Sequence, residues 1–227
     1  MFPLYHAISG GPQDYLLMST ATTVYVCRGI SNDLITSFST AYNPNTSMCQ
    51  RGGDCITVKN NTGGATIYEH AGWTASTDSS FTVSPESIRG IAWDGSNLLI
   101  QTIAAAGGHI RRYVGFSSTV DTTLSWGTVY GKGLGWNFNT GNMLSCSTST
   151  VYLHSGFSVT VLDTIAVTPT QSYMDITTDG TNTLLYTGSD NLIRVLEGFS
   201  GTVLDSFAPP AGASNIIALC YVPYLTY

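Results

Sequence analysis

Residues 90–125, GIAWDGSNLLIQTIAAAGGHIRRYVGFSSTVDTTLS, alternate runs of β-forming residues with clusters of turn formers. IAW gives way to DGSN, LLIQT to AAAGG, HIRRYV to GFSS, and VDTTLS closes the unit. Four short strands therefore follow one another, and no segment sustains a 3.6-residue period or leaves room for the roughly 10 to 15 residue helices of a βαβ protein.

The unit recurs on both sides. A glycine followed by an apolar or aromatic residue and then Ser or Thr stands at Gly29-Ile30-Ser31, Gly72-Trp73-Thr74, Gly115-Phe116-Ser117, Gly156-Phe157-Ser158 and Gly198-Phe199-Ser200, with steps of 43, 43, 41 and 42 residues. Nine residues after each glycine is an apolar residue: Phe38, Phe81, Leu124, Ile165 and Phe207. Each glycine is preceded by a β-rich run (TVYVCR, TIYEHA, HIRRYV, TVYLHS, LIRVLE) and, before it, another (YLLMS, CITVK, NLLIQT, NMLSC, TLLYT). Four strands in about 42 residues, repeated, predict an all-β fold, a five-bladed β-propeller.

The first unit has no evident first strand, whereas SNIIALCYV follows the fifth unit as an orphan. The expected arrangement is one propeller domain over 1–227: blade 1 from 14–40 plus 214–222, blade 2 from 47–84, blade 3 from 87–126, blade 4 from 131–167 and blade 5 from 172–209. The C-terminal strand then joins the N-terminal blade, which closes the ring and removes an open sheet edge. Innermost strands are expected near 47–52, 88–93, 132–137, 173–178 and 215–221.

Composition limits the function. With 43% hydrophobic residues the chain can fill a core, yet only 10% of residues are charged, against roughly 25% in ordinary proteins. Its surface must be largely hydroxyl and amide. The net charge of −6, with eight Lys and Arg scattered along the chain, provides no basic stripe, so no nucleic-acid partner is expected. MFPLYHAISGGPQDY lacks the charged start and apolar run of a secretory signal, and Ile216 to Val222 is too short to span a bilayer, so no membrane segment is expected.

Candidate chemistry is sparse. Cys49 and Cys55 flank QRGGD, a turn across which they could form a disulfide, two free thiols being the alternative. His70 and His154 each fall two residues before a marker glycine in separate blades and cannot share a metal; no metal, no cofactor and no enzyme activity are expected. Asp94 and Asp179 end inner strands at turns, and Asp163 and Asp205 occupy equivalent outer positions, which reads as turn and edge chemistry rather than a hydrolase pair. Trp73, Trp93 and Trp136 read as packing between blades. Ligand contacts are expected over the axis on the face carrying the strand-four-to-strand-one connections, where Tyr42, Asn43, Trp126, Tyr130, Lys132 and Tyr173 are the candidates.

GIAWDGSNLLIQ leading to IRRYVGFSSTVDTTLS, and ITTDGTNTLLY leading to LIRVLEGFSGTVLDSF, resemble the short propeller repeats of bacteriophage structural proteins, the tail-associated and fibre-like ones especially. The resemblance implies a non-catalytic virion protein, a capsid decoration or tail accessory, whose partners are other virion proteins and a host surface glycan. The chain would assemble in the host cytoplasm and be carried outside on the particle. A glycan-binding lectin propeller is the alternative, but lectins of this size place one sugar site in each blade, and the blade connections here differ in length and residue.

Overall fold

The computed structural model describes residues 14–40, 45–84, 86–104, 107–126, 132–167, 174–213 and 215–223. Among them there are twenty strands and no helix, in five four-stranded antiparallel sheets arranged as a ring: a five-bladed β-propeller.

Blade 1 contains β1 (Tyr15–Ser19), β2 (Thr23–Arg28) and β3 (Leu34–Ser39). Blade 2 contains β4 (Asn45–Arg51), β5 (Asp54–Asn61), β6 (Gly64–His70) and β7 (Thr77–Val83); blade 3 contains β8 (Ser87–Trp93), β9 (Leu98–Ala104), β10 (Gly107–Tyr113) and β11 (Val120–Trp126). Blade 4 contains β12 (Gly133–Asn137), β13 (Asn142–Cys146), β14 (Thr150–His154) and β15 (Val161–Ala166); blade 5 contains β16 (Met174–Thr178), β17 (Thr183–Thr187), β18 (Leu192–Leu196) and β19 (Val203–Phe207). β20 (Ala218–Val222) pairs with β1, from Tyr15 opposite Val222 to Ser19 opposite Ala218, and so supplies the inner strand of blade 1. The ring closes through the C-terminal strand as the orphan segment predicts. β4, β8, β12, β16 and β20 each pack on the next around the axis.

The repeated glycines have a common physical cause. All five adopt a left-handed backbone, with φ of 58, 59, 55, 60 and 57° in chain order, a region that costs a side chain with a Cβ about 1–2 kcal/mol. Each lies in the turn from the third to the fourth strand, closed by a 2.9 Å backbone hydrogen bond: Arg28 to Asp33, Ala71 to Ser76, Val114 to Thr119, Ser155 to Thr160 and Glu197 to Thr202. The Ser or Thr two residues after the glycine accepts a further backbone N–H within the turn, as Ser117 Oγ does from Thr119 and Ser158 Oγ from Thr160. On the other side, the side-chain oxygens of Asp54, Asn97, Asn142 and Asn182, each at or just before the start of a second strand, accept the N–H of the marker glycine of their own blade.

The two apolar markers stitch the blades together in opposite directions. The residue after the glycine packs back onto the preceding blade: Trp73 enters the cluster of Tyr15, Leu17 and Val26, Phe116 that of Ile56 and Ile67, Phe157 that of Leu99 and Ile110, and Phe199 that of Leu144 and Val151. The residue nine after the glycine packs forward: Phe81 joins the blade 2–blade 3 cluster, and Phe207 the cluster where Leu184, Tyr186 and Ile193 of blade 5 meet Leu16 and Met18 of blade 1. The core is therefore five interface layers, one between each pair of neighbours.

Inner strands touch so closely that their forward-facing residues must be small. A Cβ on Gly90 would lie 2.7 Å from the Leu134 nitrogen, and one on Gly133 would lie 2.8 Å from the Asp175 Cα. Where the forward position carries an oxygen, it accepts the next strand's N–H: Ser47 Oγ from Ile91 at 2.8 Å, Asp175 Oδ2 from Leu219 at 2.6 Å and Thr177 Oγ1 from Tyr221 at 3.2 Å.

Of the two readings of Cys49 and Cys55, the structure has the free thiols and no disulfide. Gln50 stands opposite Cys55, and Cys49 opposite Ile56, so the two thiols lie on opposite faces of the sheet and enter different interface clusters. Both are buried, and burial pushes each thiol well above its usual range.

Candidate functional site

Each inner strand ends in a turn to its second strand, and the last or last-but-one paired positions form a ring of five structurally equivalent residues. Gln50 pairs with Cys55, Trp93 with Leu98, Trp136 with Met143, Thr178 with Thr183 and Tyr221 with Leu16. Their second-strand partners in turn face Cys27, His70, Tyr113, His154 and Leu196, each two residues before its marker glycine. The ring surrounds the axis and walls a recess of about 90 Å³. Phe138, Asn139, Asp179, Gly180 and Pro223 extend the wall outward.

Most polar atoms at this mouth are already occupied. Asp179 Oδ1 accepts the N–H groups of Thr181 and Asn182 at 2.7 and 2.5 Å, while Oδ2 accepts the Asn182 amide at 3.2 Å. Asp94 organises the equivalent turn of blade 3 in the same way, through Ser96 and Asn97. Both carboxylates are thus turn formers, as their positions predict. Thr178 Oγ1 donates to Asn182 O at 2.7 Å. Arg51 lies 5.1 Å over the Trp93 ring and is ion-paired with Glu69. Burial, and next the carboxylate of Asp14, pushes the Tyr221 phenol well above its usual range. Gln50 is different: its side chain is 8% exposed and, among the described residues, its amide has no hydrogen-bond partner.

The buried histidines and Asp175 lie apart from this mouth. His70 Nε2 is 2.8 Å from Thr57 Oγ1 and His154 Nε2 is 2.8 Å from Ser145 Oγ, both rings fully enclosed and held below the usual histidine range by burial, His154 down to about 4. Asp175 is raised well above the usual carboxylate range by burial, and its Oδ1 has no partner. None of the three reaches solvent, so none can meet a substrate. Among the described residues no group of three His, Cys, Asp or Glu side chains is placed to hold a metal ion.

The recess opens at the first-to-second-strand turns, the opposite end of the axis from the face on which contacts are expected. Of the six candidates, Tyr42, Asn43, Tyr130, Tyr173 and the Trp126 side chain lie outside the described residues. Lys132 precedes β12, where burial, and next the nearby Arg89, lowers its pKa. Trp93 and Trp136 do pack between blades, and they also line the recess. Gln50, Phe138, Thr178 and Tyr221 are new to the site. The equivalence of positions could have found them, but Gln50 and Trp93 stand 22 residues before their marker glycines and Trp136 and Thr178 only 20, because the connections from first to second and from second to third strand differ in length.

A second open feature lies between blades 4 and 5. A groove of about 160 Å³ runs from Ile165 and Val167 past Leu185 and Leu196 to Val203, with the Arg194–Asp190 ion pair along it. Beside it the edge strands β15 and β19 expose Val161 and Leu162, and Val203 and Leu204, with the two leucines 54% and 55% exposed. Asp163 and Asp205 follow on the same edges, where each accepts the N–H of the next residue.

No protein-family model and no curated protein matches this sequence. Solved structures do resemble it. Glutaminyl cyclase of Myxococcus xanthus is 12% identical, with a TM-score of 0.56 over 78% of this chain and 69% of that one. A Bacteroides caccae protein of unknown function is 14% identical, with a TM-score of 0.51 over 87% of this chain and 73% of that one. A chain of a nidogen/laminin complex is 10% identical, with a TM-score of 0.60 over 94% of this chain and 100% of that one. At such identities the likeness concerns the fold alone.

Proposed function

We propose that this propeller is a non-catalytic docking disc, a structural component of a bacteriophage particle that is held by a neighbouring particle protein along the outer edges of blades 4 and 5. The observation that carries the reading is the pair of exposed Val-Leu edges at Val161–Leu162 and Val203–Leu204 on neighbouring blades, with Val203 also lining the groove between the two blades. Natural edge strands are kept soluble by charge, bulges or cover, and contiguous exposed apolar surface marks interaction sites. The equivalent edge of blade 2 reads Thr77-Asp78-Ser79-Ser80, and that of blade 3 follows Val120 directly with Asp121, whereas blade 1 carries Leu34-Ile35 there with Leu34 42% exposed, so the apolar edge belongs to the consecutive blades 4, 5 and 1 rather than to the whole repeat.

A chain with only 10% charged residues and abundant hydroxyls and amides suits permanent contact in an assembly, and the repeat resembles that of phage structural proteins. The test is to image the particle with which the chain copurifies. The expected result is a disc at fixed stoichiometry with β15 and β19 against a neighbouring protein, and Leu162→Lys with Leu204→Lys abolishing incorporation. Discs attached through other blades, or a chain never associated with particles, would overturn the reading.

A further inference from the structure

We propose that the axial recess is a binding site for one neutral sugar ring, with the Gln50 amide as its polar anchor and Trp136 and Phe138 as its apolar walls. This inference stands apart from the docking reading and concerns the opposite feature of the molecule, its centre rather than its rim.

Three observations carry it. The first is Gln50 itself, which lines the recess with an amide donor and acceptor that no described residue uses. A ligand hydroxyl, both donor and acceptor, can pair with either end of that amide. The second is the wall: Trp136 is partly buried on the inner-strand end, and Phe138, at 51% exposed, extends from the blade 4 turn toward Gly95 of blade 3, whose Cβ would lie 3.9 Å from the Phe138 ring. Flat apolar faces beside a single amide match the alternating C–H faces and hydroxyl edges of a pyranose. The third is that no Lys, Arg or His is among the described lining residues, so nothing there draws an anion, and both Asp179 oxygens are committed to their own turn.

Size agrees. A volume of about 90 Å³ holds roughly half a dozen waters at about 10–15 Å³ each, room for part of one ring at the mouth and none for a chain of several sugars. The five ring positions carry five different environments, so there is one site on the axis and not one in each blade. That distinguishes it from the lectin layout in which every repeat carries its own sugar.

The experiment titrates the intact chain with methyl glycosides of neutral hexoses and N-acetylhexosamines, following tryptophan emission and the NMR signals of the Trp93 and Trp136 indole N–H and the Gln50 side-chain amide. At least one glycoside is expected to shift all three signals saturably, with affinity in the millimolar range typical of a single-ring ligand, roughly −4 kcal/mol. Gln50→Leu, which keeps the packing volume, is expected to weaken that glycoside about tenfold, the worth of one or two hydrogen bonds. Phe138→Ala, at an exposed position that folding does not need, is expected to weaken it as well. Folded protein whose three signals stay unmoved by every glycoside, or a Gln50→Leu variant that binds as wild type does, would overturn the proposal. Binding of a charged glycoside in preference to its neutral counterpart would overturn it equally.

Discussion

Two kinds of glycine hold this molecule together, and they should fail differently. Gly115 needs only a left-handed backbone, because a Cβ there would meet nothing within 4 Å. Gly133 has an ordinary φ but no space, since its Cβ would lie 2.1 Å from Asp175 Oδ1 and 2.8 Å from a backbone atom that cannot move aside. Gly115→Ala is therefore expected to cost about 1–2 kcal/mol and Gly133→Ala more, through displacement of blade 5, as measured by urea denaturation. Buried ionisable groups add a pH dependence of two signs. His70 and His154 have folded pKa values below the unfolded value near 6.5, so the unfolded chain takes up protons first and stability falls as pH drops from about 6.5 toward about 4. Asp175 is the reverse: its folded pKa is raised, so its stability is complete below an unfolded value of 3.8 and declines as pH rises above it. Asp175→Asn keeps an acceptor for the Leu219 N–H, and is expected to raise Tm at pH 7 by an increment that vanishes near pH 4. An increment independent of pH would show that the carboxyl is ionised in the fold.

Strands are the scale at which most of the molecule is legible in sequence, and the reason is repetition. A left-handed turn glycine, a residue packing back from it and another packing forward nine positions later each meet the same local demand five times, so they reappear at nearly constant spacing. What varies between blades is the length of the connections from first to second and from second to third strand, and that variation hid the ring of Gln50, Trp93, Trp136, Thr178 and Tyr221. The disulfide reading of Cys49 and Cys55 misses by one residue of register: the turn at Gly52 and Gly53 sets Gln50, not Cys49, opposite Cys55, and a shift of one places a side chain on the other face. Edge strands give the prediction at this scale. Leu162 and Leu204 contribute little to the core at 54% and 55% exposure, so Lys at both positions is expected to leave stability within about 0.5 kcal/mol of wild type. The same change should abolish any concentration-dependent association seen by static light scattering, and an unfolding midpoint lowered well beyond that margin would mean that the edges are packed rather than presented.

Closure is a property of the whole ring and rests on one short strand. Ala218, Leu219, Cys220 and Val222 of β20 are all buried, and they belong to two interface layers, Leu219 to the one shared with blade 5 and the others to the one shared with blade 2. A large buried apolar side chain is worth about 1.5–3 kcal/mol, so the strand as a unit carries a sum comparable with the roughly 5–15 kcal/mol by which a whole domain is stable. Its loss would also free the inner edge of β1 and remove the partners of Asp175 Oδ2 and Thr177 Oγ1 on the last blade. An open stack of repeats unfolds piecemeal, because each unit answers only to its neighbours, whereas a closed ring has no end from which to fray. The full chain is therefore expected to unfold in urea as one transition, coincident by near- and far-ultraviolet circular dichroism. A chain ending at residue 217 is expected to lose that coincidence, with hydrogen exchange fastest in β1 and β16, and a peptide of residues 215–223 added in trans should restore protection in both strands. If the shortened chain instead keeps the midpoint and single transition of the full one, the blades are independently stable and β20 is a cover rather than a clasp.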